Sequence, residues 1–99
     1  MHARVTTYQS PAEQLTDEAI EKSRADILPR LYAIEGNRGA LYLVNRETGK
    51  TLTITLWETE DALKASEQTS SQLRQDKAKM TGGAVGNVES FEVRNLEVR

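Results

Sequence analysis

Residues 36–67 read GNRGALYLVNRETGKTLTITLWETEDALKASE. Gly39 to Val44 and Thr51 to Trp57 are rich in β-branched and aromatic residues, and Asn45 to Lys50 between them holds the turn formers Asn45 and Gly49. This predicts a short antiparallel hairpin with Gly49 at positive φ. Side chains alternate across a strand, so Leu52, Ile54 and Leu56 face one way while Thr51, Thr53, Thr55 and Trp57 face the other. Leu41 and Leu43 oppose Tyr42 and Val44 in the same manner. Neither face is polar enough to be left to water, which predicts a sheet covered on both sides. Thr59 is placed to cap a second helix, with Glu60 and Asp61 in its acidic first turn.

Upstream, Ala3 to Tyr8 read as a first strand, ended by Gln9, Ser10 and Pro11. Thr16 is the expected N-cap of a first helix, with Leu15 and Ile20 as a hydrophobic staple. Ile20, Ile27, Leu31 and Ile34 form its apolar stripe, Pro29 is expected to kink it, and Gly36 ends it. Downstream, Ala62, Ser66, Thr69, Leu73 and Met80 make the stripe of the second helix, which Gly82 and Gly83 stop. Asn87 to Arg94 alternate around Phe91 and Val93 as a last strand, with a bulge or departure expected near Leu96. The order β-α-β-β-α-β predicts an α+β, ferredoxin-like domain spanning 1–99: a four-stranded antiparallel sheet with two helices on one face. A homodimer covers the other face, since one patch then serves both copies.

Composition narrows the function classes. In 99 residues only 37% are hydrophobic, so one small core forms and burial against a partner helps it. A net charge of −2 offers no attraction to nucleic acid or to anionic membrane. There is no cysteine, hence no disulfide or thiolate, and no run of apolar residues long enough to span a bilayer. The segment MHARVTTYQS lacks the apolar stretch of a secretion signal, so a cytoplasmic protein is the expectation.

The segments LPRLYAIEGNRGALYL (28–43) and ITLWETEDALKASE (54–67) resemble the antibiotic-biosynthesis-monooxygenase-like family of dimeric α+β barrels. The resemblance implies a homodimer and, for the oxygenases of the family, a cofactor-free reaction of dioxygen with a phenol or quinol held between helices and sheet. It further implies an Asn and a Trp four apart on the third strand, with a Tyr and an Arg from the second helix. Trp57 is retained; the Asn position holds Thr53, the Tyr position Leu63, and the Arg position is nearest Lys77. The heme-degrading members imply a helix His, a helix Trp and a first-strand Asn; the corresponding positions are Asp76, Ser66 and Thr6 or Thr7. His2, the single histidine, is remote from them in sequence, so heme degradation is not expected, nor is any cofactor or metal.

Two functions follow as alternatives: a cofactor-independent monooxygenase-like protein acting on or binding a small aromatic ligand, or a non-catalytic dimer with a ligand-binding or structural role. Trp57, Thr53, Thr55, Leu63 and Ser66 are the candidate ligand-holding residues; no catalytic residue is assigned. Trp57 is more ordinarily read as a core anchor at the strand-to-helix junction, and the small residues Ala62, Ser66 and Thr69 either leave room for a ligand or let the helix approach closely. Tyr8, Tyr32 and Tyr42 are isolated hydroxyls. Arg4 and Arg38 are candidate anion binders whose ordinary place is the surface, and the mixed-sign run RQDKAK (74–79) reads as a solvated helix face.

Overall fold

The computed structural model describes all 99 residues. Strand β1 (His2–Gln9) leads through a single 3-10 turn (Ala12–Gln14) into helix α1 (Asp17–Tyr32). The hairpin β2 (Asn37–Val44) and β3 (Lys50–Trp57) follows, then helices α2 (Glu60–Ala65) and α3 (Glu67–Met80), then β4 (Ala84–Glu92). The strands lie in the order β2-β3-β1-β4, every pair antiparallel, which is the ferredoxin-like arrangement expected from the element order.

Local chemistry accounts for the boundaries. Thr16 accepts from the Ala19 amide at 3.1 Å and Thr59 from the Ala62 amide at 3.0 Å, so both expected N-caps are made. Gly49 has φ +80° and closes the hairpin by donating its amide to the Asn45 carbonyl. A side chain there would meet the Ser10 carbonyl at 1.9 Å, so only glycine fits. Helix α1 continues through Pro29 to Tyr32, forgoing the one amide bond that residue 29 would donate to the Ala25 carbonyl.

Three expectations are corrected. The second helix is in two pieces, joined at Ser66. The Leu63 carbonyl, which would accept from residue 67 in a continuous helix, instead accepts from Arg4 Nη2 at 2.8 Å and from Ser66 Oγ at 2.7 Å. The last strand begins at Ala84 rather than Asn87, with a register shift opposite Thr6–Tyr8, and residues 93–99 form no regular structure. Thr69 points to solvent, and the inward face of α3 is Ser70, Leu73, Lys77 and Ala78.

All helices lie over the sheet face that carries Arg4, Thr6 and Tyr8 from β1 and Thr51, Thr53, Thr55 and Trp57 from β3. The core between the layers is small: Leu31, Trp57, Leu63 and Leu73, with Ile27, Leu28 and Ile34 packed against them. The opposite face carries Val5, Leu52, Ile54 and Leu56 in the middle of the sheet, with no helix over it. At its edges Leu41 is 53% and Phe91 49% exposed.

Candidate functional site

The helix–sheet interior divides into an apolar end and a polar end. Trp57 is fully buried at the apolar end, where its indole N–H donates to Thr55 Oγ1 at 2.9 Å. Trp57 and Leu63 thus belong to the packed core rather than to an open space. Ser66 holds Arg4, accepting from Nη1 at 3.2 Å. Arg4 itself is only 3% exposed. Its guanidinium lies 5.6 Å from the Trp57 ring centroid and pairs with Glu67 at 2.8 Å. The five residues singled out in the sequence therefore gather around one arginine whose ordinary place is the surface. Of the five, Thr53 and Thr55 line the cavity between the helices and the sheet.

That cavity, of about 40 Å³, lies between α1, α3 and the sheet. Arg4, Thr53, Arg74 and Lys77 supply its polar wall, and Ile27 and Leu31 from α1 close it on the other side. A second space of about 110 Å³ adjoins it, sharing Ile27, Leu31, Thr53 and Lys77. A dry cavity of about 150 Å³ holds one benzene ring. Together the two spaces match a single ring rather than a fused ring system.

The polar wall is unusual in charge and in bonding. Three cations face inward, and the single carboxylate engaging any of them is Glu67, shared by Arg4 and Arg74. Lys77 is 9% exposed and has no carboxylate partner. Its Nζ lies 3.6 Å from the Tyr42 ring centroid and 5.9 Å from that of Tyr8. Burial lowers the Lys77 amine to about 8, since no countercharge offsets the loss of water. Burial also raises Tyr8 to about 12, against the opposing charge of Arg74, and raises Tyr42. Arg4 is lowered by burial, with Glu67 opposing. Arg4 Nε, Arg74 Nη1 and Thr53 Oγ1 are buried without a hydrogen-bond partner, and all three residues line the same cavity. Unsatisfied buried polar atoms are costly, about 1–3 kcal/mol each, so three of them on residues lining one cavity single it out as the candidate site.

Arg74 and Lys77 correct the view of residues 74–79 as a solvated face. The signal was in the phase: Ser66, Ser70, Leu73 and Lys77 fall at i, i+4, i+7 and i+11, one line along a helix. Arg38, by contrast, is at the surface, paired with Glu58 at 2.8 Å. His2 lies at the start of β1 beside Glu60 at 3.5 Å, and no three His, Cys, Asp or Glu side chains converge anywhere in the structure. No helix is long and apolar enough to cross a membrane.

No protein-family model matches the chain. Two uncharacterized proteins of Mycobacterium tuberculosis H37Rv are similar in sequence. Rv2557 is 33% identical over 93 residues, covering 94% of this chain and 41% of its own length. Rv2558 is 30% identical over 96 residues, covering 97% and 40%. The chain thus spans about two-fifths of the length of these relatives. Among solved structures, a variant of SnoaB, a cofactor-independent oxygenase from Streptomyces nogalater, superposes with TM-score 0.69 at 14% identity, covering 96% of this chain and 94% of that one. ActVA-Orf6, a monooxygenase from Streptomyces coelicolor crystallised with nanaomycin D, gives 0.68 at 17%, covering 99% and 91%. NE2512 of Nitrosomonas europaea, a protein of unknown function, gives 0.69 at 16%, covering 99% and 93%. These likenesses show the fold: the chain is built as the antibiotic-biosynthesis-monooxygenase-like α+β proteins are.

Proposed function

We propose that this domain holds a small one-ring phenol or quinol as its anion in the cavity between α3 and the sheet, and that it acts on it as a cofactor-independent oxygenase. The observation that carries this is that Arg4, Arg74 and Thr53, each with a buried polar atom lacking a partner, line one cavity beside a lysine with no countercharge. A phenolate supplies the missing negative charge and several lone pairs, and the buried cations favour it over the neutral phenol. The unprotonated fraction of Lys77, roughly a tenth at pH 7 for an amine near 8, is the group available to take the phenolic proton. Tyr8, raised to about 12, stays protonated and serves as a donor. The electron-rich anion then reduces dioxygen directly. For a phenol with a free para position, one oxygen atom enters the ring to give the quinone and the other leaves as water, the substrate supplying all four electrons. The fold shared with SnoaB and ActVA-Orf6 supports this class of reaction. Oxygen uptake with a panel of one-ring phenols bearing a free para position, with anthrones as the fused-ring comparison, tests it: turnover is expected for the one-ring compounds and is expected to fall sharply in Arg74→Gln and Thr53→Val. No uptake with any member refutes the oxygenase role.

The working unit in this proposal is a homodimer. The helix-free face presents Leu41, Leu43 and Phe91 at its edges and half-buried Leu52, Ile54 and Leu56 at its centre, an apolar surface that a second copy covers with the same residues. With only 18 of 99 residues buried in the single chain, that added burial is what a small core lacks. Light scattering at micromolar concentration is expected to give twice the chain mass; a monomer mass refutes the dimer.

A further inference from the structure

We infer that Lys77 is a covalent site for carbonyl compounds: its side-chain amine condenses with the aldehyde or ketone of a small ligand that also bears an acidic oxygen, the acid being held by Arg4 and Arg74. This rests on the anion-holding reading of the same cavity and goes beyond it in giving Lys77 a bond to make.

Three features of the fold favour the amine as a nucleophile. Lys77 is buried on the inward side of α3 beside the cavity, whereas Lys22, Lys50, Lys64 and Lys79 are all exposed. No carboxylate holds it in the ammonium form. The charged and titratable groups that line the space around it are Arg4 and Tyr8 from β1, Tyr42 from β2, Arg24 from α1 and Arg74 from its own helix, and none is an acid near neutral pH, since burial raises both tyrosines. Burial and the neighbouring arginines favour the neutral amine, against the attraction of the Tyr42 ring for the ammonium, and a lysine so placed is suited to forming an imine. Burial, which lowers the amine to about 8, acts in the same sense. The second requirement is a hold on the ligand at a fixed distance from the amine. Arg4, Arg74 and Thr53, which line the same cavity as Lys77 and carry the unpartnered polar atoms, are the groups placed to provide it.

The step balances simply. The amine nitrogen adds to the carbonyl carbon, water leaves with the carbonyl oxygen, and the product is an imine that hydrolysis reverses. Borohydride converts that imine to a stable secondary amine by delivering hydride to the imine carbon.

The test uses the whole chain with 4-hydroxybenzaldehyde or pyruvate in the presence of cyanoborohydride, followed by mass spectrometry of peptides. One adduct at Lys77 is expected, forming on the order of tenfold faster than at any exposed lysine, because a lower amine pKa leaves more of it unprotonated at neutral pH. Acetone, which lacks the acid, is expected to label Lys77 far less. Lys77→Arg keeps the charge and removes the nucleophile, and is expected to abolish the adduct; Lys77→Met serves the same purpose if the arginine does not fold. Absence of an adduct, or labelling spread evenly over the five lysines, overturns the proposal. The same preparation is titrated with 4-nitrophenol. Nitrophenolate bound without aldehyde trapping overturns the covalent role alone, whereas failure to bind nitrophenolate removes the anion-holding reading as well.

Discussion

Replacing Lys77 by methionine removes a buried amine while keeping an unbranched side chain of similar length. The lysine is lowered by burial from its ordinary 10.5 to about 8. Each pKa unit corresponds to about 1.4 kcal/mol, so burial of the charged form costs about 3 kcal/mol at pH 7. The Tyr42 ring at 3.6 Å returns about 1–2 kcal/mol through its attraction for the ammonium. A net penalty of about 1–2 kcal/mol remains, and Lys77→Met is expected to be more stable than the parent by that amount at pH 7. The sign of the pH dependence follows from the proton count. Between the folded and unfolded pKa values the unfolded chain binds more protons, so the parent gains stability as pH rises from about 8 toward 10.5. The advantage of the variant therefore shrinks on going from pH 7 to pH 9.5. Tyr8 and Tyr42 titrate in both proteins and largely cancel in the difference. Urea unfolding at the two pH values measures it. A less stable variant, or an advantage equal at both pH values, would show that Lys77 is not an uncompensated buried amine.

Other substitutions probe the frame around the site. Gly49→Ala places a Cβ against the Ser10 carbonyl at a positive φ, and is expected to cost at least about 2 kcal/mol in urea unfolding. Arg4→Met removes the charged donor to the Leu63 carbonyl and to Ser66, and is expected to cost about 1–3 kcal/mol; a gain in stability would show that the α2–α3 junction does not depend on it. Leu41→Glu combined with Phe91→Glu charges the helix-free face, and is expected to convert a dimer to a monomer in light scattering without unfolding the chain.

Element order was legible because turn and cap residues mark it: Thr16 and Thr59 open helices, Gly36 and Gly49 accept left-handed backbone, and the threonines of β3 announce a strand. The break at Ser66 was not legible, since its cause is the guanidinium of a residue 62 positions away. The start of β4 was hidden by Gly82, Gly83 and Gly86, which carry no strand preference of their own. The site suffered most. Arg4, Arg74 and Lys77 are charged, and charge in a sequence ordinarily means water; their burial depends on Glu67 and on two tyrosine rings, and leaves polar atoms unpartnered on residues lining a cavity. Trp57, the residue the family resemblance made prominent, packs in the core beside the site and supports Arg4 from behind.

The anion-holding cavity is tested most directly by the ionisation of a bound phenol. The phenolate of 4-nitrophenol is coloured and its neutral form is not, so absorbance follows the proton on the ligand itself. With Arg4, Arg74 and Lys77 around it, the bound phenol is expected to ionise at lower pH than in water, and Arg74→Gln is expected to reduce that shift. Binding that raises the pKa of the phenol, or no binding at all, would contradict the account.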